Sequence, residues 1–510
     1  MKKRLLSTAL LMTLTACQIP AVSNDDNQTK TMKQNTIPEH LDFSKLTGEK
    51  RSFELGGQTI FYRAYENIVY VANPVDKAYQ TMNIYIPEGY FNNQTINDFN
   101  QDTAPIFFPN GVGGYMPAKA QKVEINKRNN QSNSLMVALS KGFVVASAGA
   151  RGRTLKNETG DYIGKAPSAI VDLKAAVRYL KANDKAMMGD ANKIISNGTS
   201  AGGALSALLG ASGNSSDYEA YLNELGALKA SDKIFAVSAY SPITNLENAD
   251  MAYEWQFNGV NDYQKVSIQM LDYNVERKLI KGTQTKEQIQ LSDKLKPLFA
   301  NYVNGLNLKN HHGELLSLDK NGNGTFKTHL EHLLIKSAQT ALDNGTDLSK
   351  QTWLKIQNNK VVSVNFDDYA KFIGRQKVTP AFDGVDLSTG ENNLFGNAHT
   401  DNQHFTLFSM THNTAPNATR VSDNSVKMMN AMNYVSKDTG AIHYRIRHGQ
   451  NDKDTSLAIP ALLALKLQNT QGKTVDFAVP FGQGHSGDYD LEELFAWAKE
   501  ISIESKQANK

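Results

Sequence analysis

Asn197-Gly198-Thr199-Ser200-Ala201-Gly202-Gly203 sets a serine among glycines at the junction of two differently patterned segments. Before it, Lys193–Ser196 reads as a short buried strand; after it, Ala201–Ala211 is rich in Ala and Leu and reads as a helix. A nucleophile carried on a tight strand-to-helix turn needs this pattern. Flanking residues without Cβ atoms let backbone pass close by, the hydroxyl stands clear, and the following N–H points at an oxyanion developing there. G-x-S-x-G also arises in plain glycine-rich turns, but the strand before and the helix after favour Ser200 as a nucleophile.

The neighbouring segments extend this reading. Pro105–Pro109 and Gly142–Ser147 are continuous apolar runs, suited to strands covered on both faces. Ser168–Leu180 has helical spacing, and Ile234–Ala239 is a further strand. Earlier, Thr59–Arg63, Ile68–Ala72 and Thr81–Ile86 carry alternating or β-branched residues. Such alternation predicts a doubly wound, mostly parallel α/β sheet. From about Asn245 to Thr439 the pattern lapses into amphipathic helical stretches such as Glu287–Lys296 and Thr328–Asp343. The core then resumes with His443–Arg447, Ser456–Gln468, Val475–Val479 and Leu491–Ile501. The expected architecture is an α/β-hydrolase fold, residues 41–244 and 440–510, interrupted by an inserted lid domain, residues 245–439.

That fold supplies a partner for each step of nucleophilic attack. The loop Asn110-Gly111-Val112-Gly113-Gly114-Tyr115 follows an early strand, where a second oxyanion N–H arises. Gly113 is the first choice and Gly114 the second, beside the N–H of Ala201. Chain order in this fold runs Ser, then acid, then His. His485, in Phe481-Gly482-Gln483-Gly484-His485-Ser486-Gly487, follows the strand Val475–Val479 and suits a general base. Asp452 follows His443–Arg447 and suits the acid that orients the imidazole; Asp454, two residues on, competes with it. The gap of 252 residues between Ser200 and Asp452 is far more than a strand, a helix and their loops require, which supports an insertion over the site.

Taken together, Asn110–Ala118, Asn197–Leu208, Arg445–Pro460 and Phe481–Leu494 resemble the bacterial tannase (tannin acyl hydrolase) family. The most specific stretches are Arg447-His448-Gly449-Gln450-Asn451-Asp452-Lys453-Asp454-Thr455-Ser456 and Gly484-His485-Ser486-Gly487-Asp488-Tyr489-Asp490. The resemblance implies hydrolysis of galloyl esters through Ser200, Asp452 and His485. It also implies that Lys377, Glu391 and Asp454 bind the galloyl hydroxyls. Three adjacent phenols suit two carboxylates and a lysine. Two alternatives stand beside this reading: another phenolic-acid esterase, such as a feruloyl esterase, or a peptidase on the same scaffold; and a non-catalytic, polyphenol-binding surface lipoprotein.

The N-terminus carries an address. Lys2, Lys3 and Arg4 precede the short apolar run Leu5–Leu14, and Leu14-Thr15-Ala16-Cys17 is similar to a bacterial lipobox. That likeness implies cleavage after residue 16, a lipid on Cys17 and a polar tether over residues 17–40. Cys17 is the chain's single cysteine, so it has no internal disulfide partner. The expectation is an exported cell-envelope lipoprotein. In a cell with two membranes, Gln18 lacks the acid associated with inner-membrane retention, which points to the outer membrane. A net charge of +3 over 510 residues, with no basic tract, gives no case for nucleic acid. Asp319-Lys320-Asn321-Gly322-Asn323-Gly324 resembles half a calcium loop, but Leu330 stands where the closing acid belongs, so an Asn-Gly turn is preferred. The chemistry expected of this chain requires no cofactor.

Overall fold

The computed structural model describes residues 37–126, 131–271 and 274–507. The signal-like segment, Cys17 and the tether through residue 36 lie outside the described residues. Strands β1 (Glu49–Leu55), β2 (Gln58–Val69), β3 (Thr81–Pro87) and β4 (Pro105–Pro109) come first. A small hairpin of β5 (Ile125–Asn126) and β6 (Gln131–Ser132) is followed by β7 (Val144–Ala148), β8 (Asp190–Thr199) and β9 (Ala236–Tyr240). Hairpins β10–β11 (Asp262–Leu271, Asn274–Thr283) and β12–β13 (Leu354–Gln357, Lys360–Val364) precede β14 (His443–Arg447) and β15 (Thr474–Ala478).

Nine of these strands form one sheet in the order β1-β2-β3-β7-β4-β8-β9-β14-β15. The first three are antiparallel, and β7 through β15 run parallel, as in an α/β-hydrolase sheet. The apolar runs dictate this. Every residue of β4, β7 and β9 is buried, which requires cover on both faces. Helices α1 (Ser134–Ser140), α2 (Ser168–Ala182), α3 (Ala201–Ala211) and α4 (Glu219–Glu224) precede the excursion from the sheet. Within it lie α5 (Leu246–Phe257), α6 (Lys286–Gly305), α7 (Thr325–Asp343), α8 (Phe366–Ile373), α9 (Gly390–Leu394), α10 (Leu407–Thr411) and α11 (Asp423–Lys427). Then α12 (Ala458–Gln468) and α13 (Leu491–Gln507) close the chain.

Several elements differ from the expected ones for local reasons. Thr59–Arg63 and the start of Ile68–Ala72 belong to one long strand, β2, whose register slips between Tyr65 and Ile68 where Asn67 takes φ +59°. β1 escaped notice because it is a sheet edge, half exposed, and carries Glu49, Lys50 and Arg51. The excursion holds two hairpins as well as helices. Helix α6 continues through Pro297 to Gly305, because Leu295, Phe299 and Val303 are buried along it and Phe299 meets Trp255 of α5 at 5.3 Å.

β9 and β14 are neighbours in the sheet, so the chain leaves and returns beside itself. One hydrophobic core extends from Ile106 and Ile195 of the sheet to Trp255, Phe299 and Trp353 of the excursion. A charged pair lies inside the excursion. Arg375 donates from Nη1 to Glu254 Oε1 at 3.0 Å and from Nη2 to Oε2, with both side chains fully buried. Thr379 Oγ1 donates to the same carboxylate at 2.9 Å. Replacing Arg375 with Met strands the Glu254 charge, at a cost of roughly 3–5 kcal/mol. The check is denaturant unfolding, in which the midpoint falls; an unchanged midpoint would remove this pair from the account of stability.

Candidate active site

Ser200 sits between β8 and α3 with φ 61° and ψ −123°, a backbone conformation costing a side-chain-bearing residue about 1–3 kcal/mol. Neighbouring backbone holds it there: its N–H donates to Tyr240 O at 3.0 Å, and its carbonyl accepts from Ala204 at 2.9 Å and Ile243 at 3.3 Å. The glycines are steric necessities. A Cβ on Gly202 would meet Asn110 Oδ1 and Val112 O at 2.7 Å, one on Gly203 would meet Tyr240 O at 2.5 Å, and one on Gly198 would overlap Gly202 O. Asn110 completes the turn. Its buried amide donates to Asn197 O at 3.2 Å, Gly202 O at 3.1 Å and Ser206 Oγ at 3.1 Å.

That asparagine starts the loop holding the oxyanion candidates Gly113 and Gly114, and so links the start of that loop to the serine turn. Gly114 and Tyr115 both take positive φ, +53° and +56°. Tyr115 is fixed by its hydroxyl, which donates to Ile243 O at 2.9 Å, and by Arg153 N–H, which donates to its carbonyl at 2.9 Å. Ala201 is the first residue of α3, so its N–H has no acceptor within the helix.

His485 approaches from the loop after β15. Asp488 accepts from Asn197 Nδ2 at 2.9 Å, Asp490 accepts from Tyr240 OH at 2.5 Å, and Gly487 lies against Thr199 and Tyr240 so closely that no Cβ fits. The loop that carries His485 therefore packs against the end of β8 and against Tyr240, beside the Ser200 turn. The His485 Nδ1 is 2.9 Å from Oδ2 of Asp452, a fully buried side chain. His448, also buried, holds its Nδ1 3.5 Å from the same oxygen. Burial pushes the Asp452 carboxyl up, but His485 and His448 more than offset this and hold it well below the usual carboxylate range. Burial pulls the His485 imidazole down, yet Asp452 and Asp454 prevail and raise it to about 9.

Asp454 takes a different place from Asp452. Its Oδ1 is 2.7 Å from Lys377 Nζ, and its Oδ2 is 3.6 Å from His485 Nε2. Lys377 also lies 4.0 Å from the centre of the Phe382 ring. Lys377, Asp454 and His485 each keep about a fifth of the side chain exposed, 19%, 20% and 22%, so a ligand can reach them. Glu391, at the start of α9, lies within electrostatic reach of Lys377, Asp454 and Arg153. Burial raises its carboxyl most, Asp454 adds to this, and Lys377 and Arg153 pull the other way, leaving it above the ordinary value. The structure thus brings together Lys377, Glu391, Asp454, His485 and Asp452 from segments far apart in sequence.

Tyr253 joins two of those segments. Its hydroxyl accepts from Gln376 N–H at 3.0 Å and Lys377 N–H at 3.1 Å, and donates to Lys453 O at 3.0 Å. Neither Tyr253 nor Asn110 stood out in the sequence, because each works through backbone groups of distant residues. The Asp319 loop is an Asx turn: Oδ1 accepts from Asn321 and Asn323 N–H at 2.8 and 2.9 Å. Among the described residues, no group of three or more His, Cys, Asp or Glu is arranged to hold a metal ion.

A family model described as BD-FAE matches residues 115–303. A search of curated proteins finds no match. Among solved structures, a tannase from Fusobacterium nucleatum is 55% identical, covers 91% of this chain and 99% of that one, and superposes with a TM-score of 0.87. A tannin acyl hydrolase in complex with ethyl gallate is 44% identical over 89% of this chain and 97% of that one, TM-score 0.84. A tannase from Lactobacillus plantarum is 43% identical with the same coverage, TM-score 0.86.

The two carboxylates around His485 make its titration testable. A base must be neutral to accept a proton, so labelling of Ser200 by a fluorophosphonate should speed up as pH rises through the imidazole pKa. Asp454→Asn removes one anion that favours the imidazolium, so the midpoint should move to lower pH by about 1 pH unit. A midpoint that stays put or moves upward contradicts the assigned electrostatics.

Proposed function

The chain belongs to the tannase family, and from that membership we propose that it is an exported, lipid-tethered serine esterase releasing gallic acid from gallotannins and simple gallates. Hydrolysis of tannin and gallate esters is the family's activity; the serine mechanism, the residue roles and the tether are this proposal's own. The observation carrying it is the cluster in which Lys377 meets Asp454 at 2.7 Å while Asp454 lies 3.6 Å from His485. Hydroxyl-binding charges thus adjoin the proton-transfer group.

In the proposed reaction His485 Nε2 takes the Ser200 proton as Oγ attacks the ester carbonyl. Asp452 keeps the other ring nitrogen protonated and stabilises the imidazolium. The N–H groups of Gly113 and Ala201 receive the oxyanion, each such donor contributing roughly 3–4 kcal/mol to the transition state. The imidazolium returns its proton to the departing alcohol, leaving a galloyl ester on Ser200. Water then attacks with the same base, which releases gallate. Lys377, Glu391 and Asp454 meet the three hydroxyls, and an acyl group lacking them would leave these polar groups unpaired. These steps use side chains and backbone alone. The N-terminal motif supports placement of the enzyme outside the cell, where large polyphenols are found.

Methyl gallate should therefore be hydrolysed with a kcat/KM about 10^4-fold above that for methyl benzoate. Ser200→Ala should lower it by about 10^6-fold and abolish fluorophosphonate labelling. Equal turnover of the two esters would overturn the galloyl reading, and labelling that survives in the variant would remove Ser200 as nucleophile. For the tether, cells fed an alkynyl fatty acid should label the wild-type protein and not Cys17→Ala; a label that persists in the variant, or a wild-type protein recovered in the cytosol, rejects lipidation at Cys17.

A further inference from the structure

Arg153 follows β7 in the sheet half of the chain, yet its guanidinium reaches the excursion. Nε donates to Gly114 O at 2.8 Å, and Nη1 donates to Asn393 Oδ1 at 2.9 Å. A Cβ on Gly390 would sit 3.2 Å from Nη2 and 3.3 Å from Cζ, so the planar group lies against the first residue of α9. Glu391 is the next residue. Arg153 N–H also donates to Tyr115 O at 2.9 Å. One residue thus grips the positive-φ corner Gly114–Tyr115 with its backbone and Nε, and α9 with Nη1. Lys165 supports α9 from the same core segment, donating to Asn393 O at 2.7 Å and pairing with Asp401 at 2.9 Å, but neither of these bonds is to the glycine loop.

We propose that Arg153 is a positioning residue that locks the oxyanion loop to the helix carrying Glu391, so that seating of the galloyl hydroxyls and alignment of the Gly113 N–H are set together. This rests on the galloyl-esterase reading above. The chemistry calls for arginine. Its donors diverge in a rigid plane and serve two acceptors on different segments, whereas one ammonium on a flexible stem cannot span both. An oxyanion donor is useful only when held in place, and a misplacement near 1 Å costs on the order of 100-fold in rate.

The test compares methyl gallate with 4-nitrophenyl acetate, whose small acyl group meets the oxyanion donors but not Glu391. For Arg153→Gln, kcat/KM on methyl gallate should fall about 30- to 100-fold through both kcat and KM, while the acetate should lose only several-fold, in kcat. In an E391Q background the same substitution should cost methyl gallate only the acetate-sized factor, since the two residues act on one contact. R153K should resemble R153Q. Asn393→Ala, which removes the acceptor of the α9 arm together with the amide's own bonds to Asp401 and Asn402 while leaving the Gly114 arm intact, should impair methyl gallate and spare the acetate; it also serves if R153Q folds poorly. The proposal fails if R153Q and E391Q losses multiply, if R153K restores wild-type rates, or if N393A leaves methyl gallate turnover unchanged. A wild-type protein active on the acetate but inert to methyl gallate overturns the galloyl reading instead; R153Q must then still lower kcat on the acetate, and an unchanged value overturns the bridge.

Discussion

The unfavourable backbone at Ser200 is the constraint to which the rest of the site answers. A residue with a Cβ holds φ 61° only because its surroundings leave no alternative. Tyr240 of the neighbouring strand accepts its N–H, Ile243 donates to its carbonyl, and glycines at 198, 202 and 203 clear the space that other backbone fills. The same contacts build the remainder. Tyr240 also receives the His485 loop, Ile243 also anchors the Tyr115 hydroxyl, and Asn110 ties the glycine loop to the first turn of α3.

In the proposed mechanism, recognition and proton transfer share one set of charges. Asp454 pairs with Lys377 and, at the same time, helps keep a proton on His485. Two carboxylates two residues apart face different surroundings. Asp452 is sealed from solvent between two imidazoles, while Asp454 keeps part of its side chain exposed beside a lysine. Of these two competing residues, Asp452 is the one within hydrogen-bond reach of His485 Nδ1.

What the sequence disclosed follows a physical rule. The serine turn, the loop after β4 and the two loops after β14 and β15 are local devices, so their residues stand together and can be recognised by spacing. Lys377 and Glu391 came only through family likeness, since single polar residues in a polar stretch carry no local signal. Tyr253 and Arg153 were silent, and Asn110 showed only as the start of a glycine loop, because each acts on segments remote in the chain; Tyr253 reaches Lys453, 200 residues away. Hairpin β10–β11 was missed although Val266, Ile268 and Met270 alternate, because its polar flanks resemble those of the helices around it.

The shared hydrophobic core bears on how this molecule comes apart. Trp255 and Trp353 are packed into the same apolar mass as Ile106 and Ile195, and the excursion's own separate cluster, Ala338, Ala341, Leu348 and Val361, is too small to keep it folded alone. Heat or denaturant should then dissolve the sheet and the excursion in a single cooperative event. The insertion is accordingly a poor candidate for excision or transplantation as a separate module.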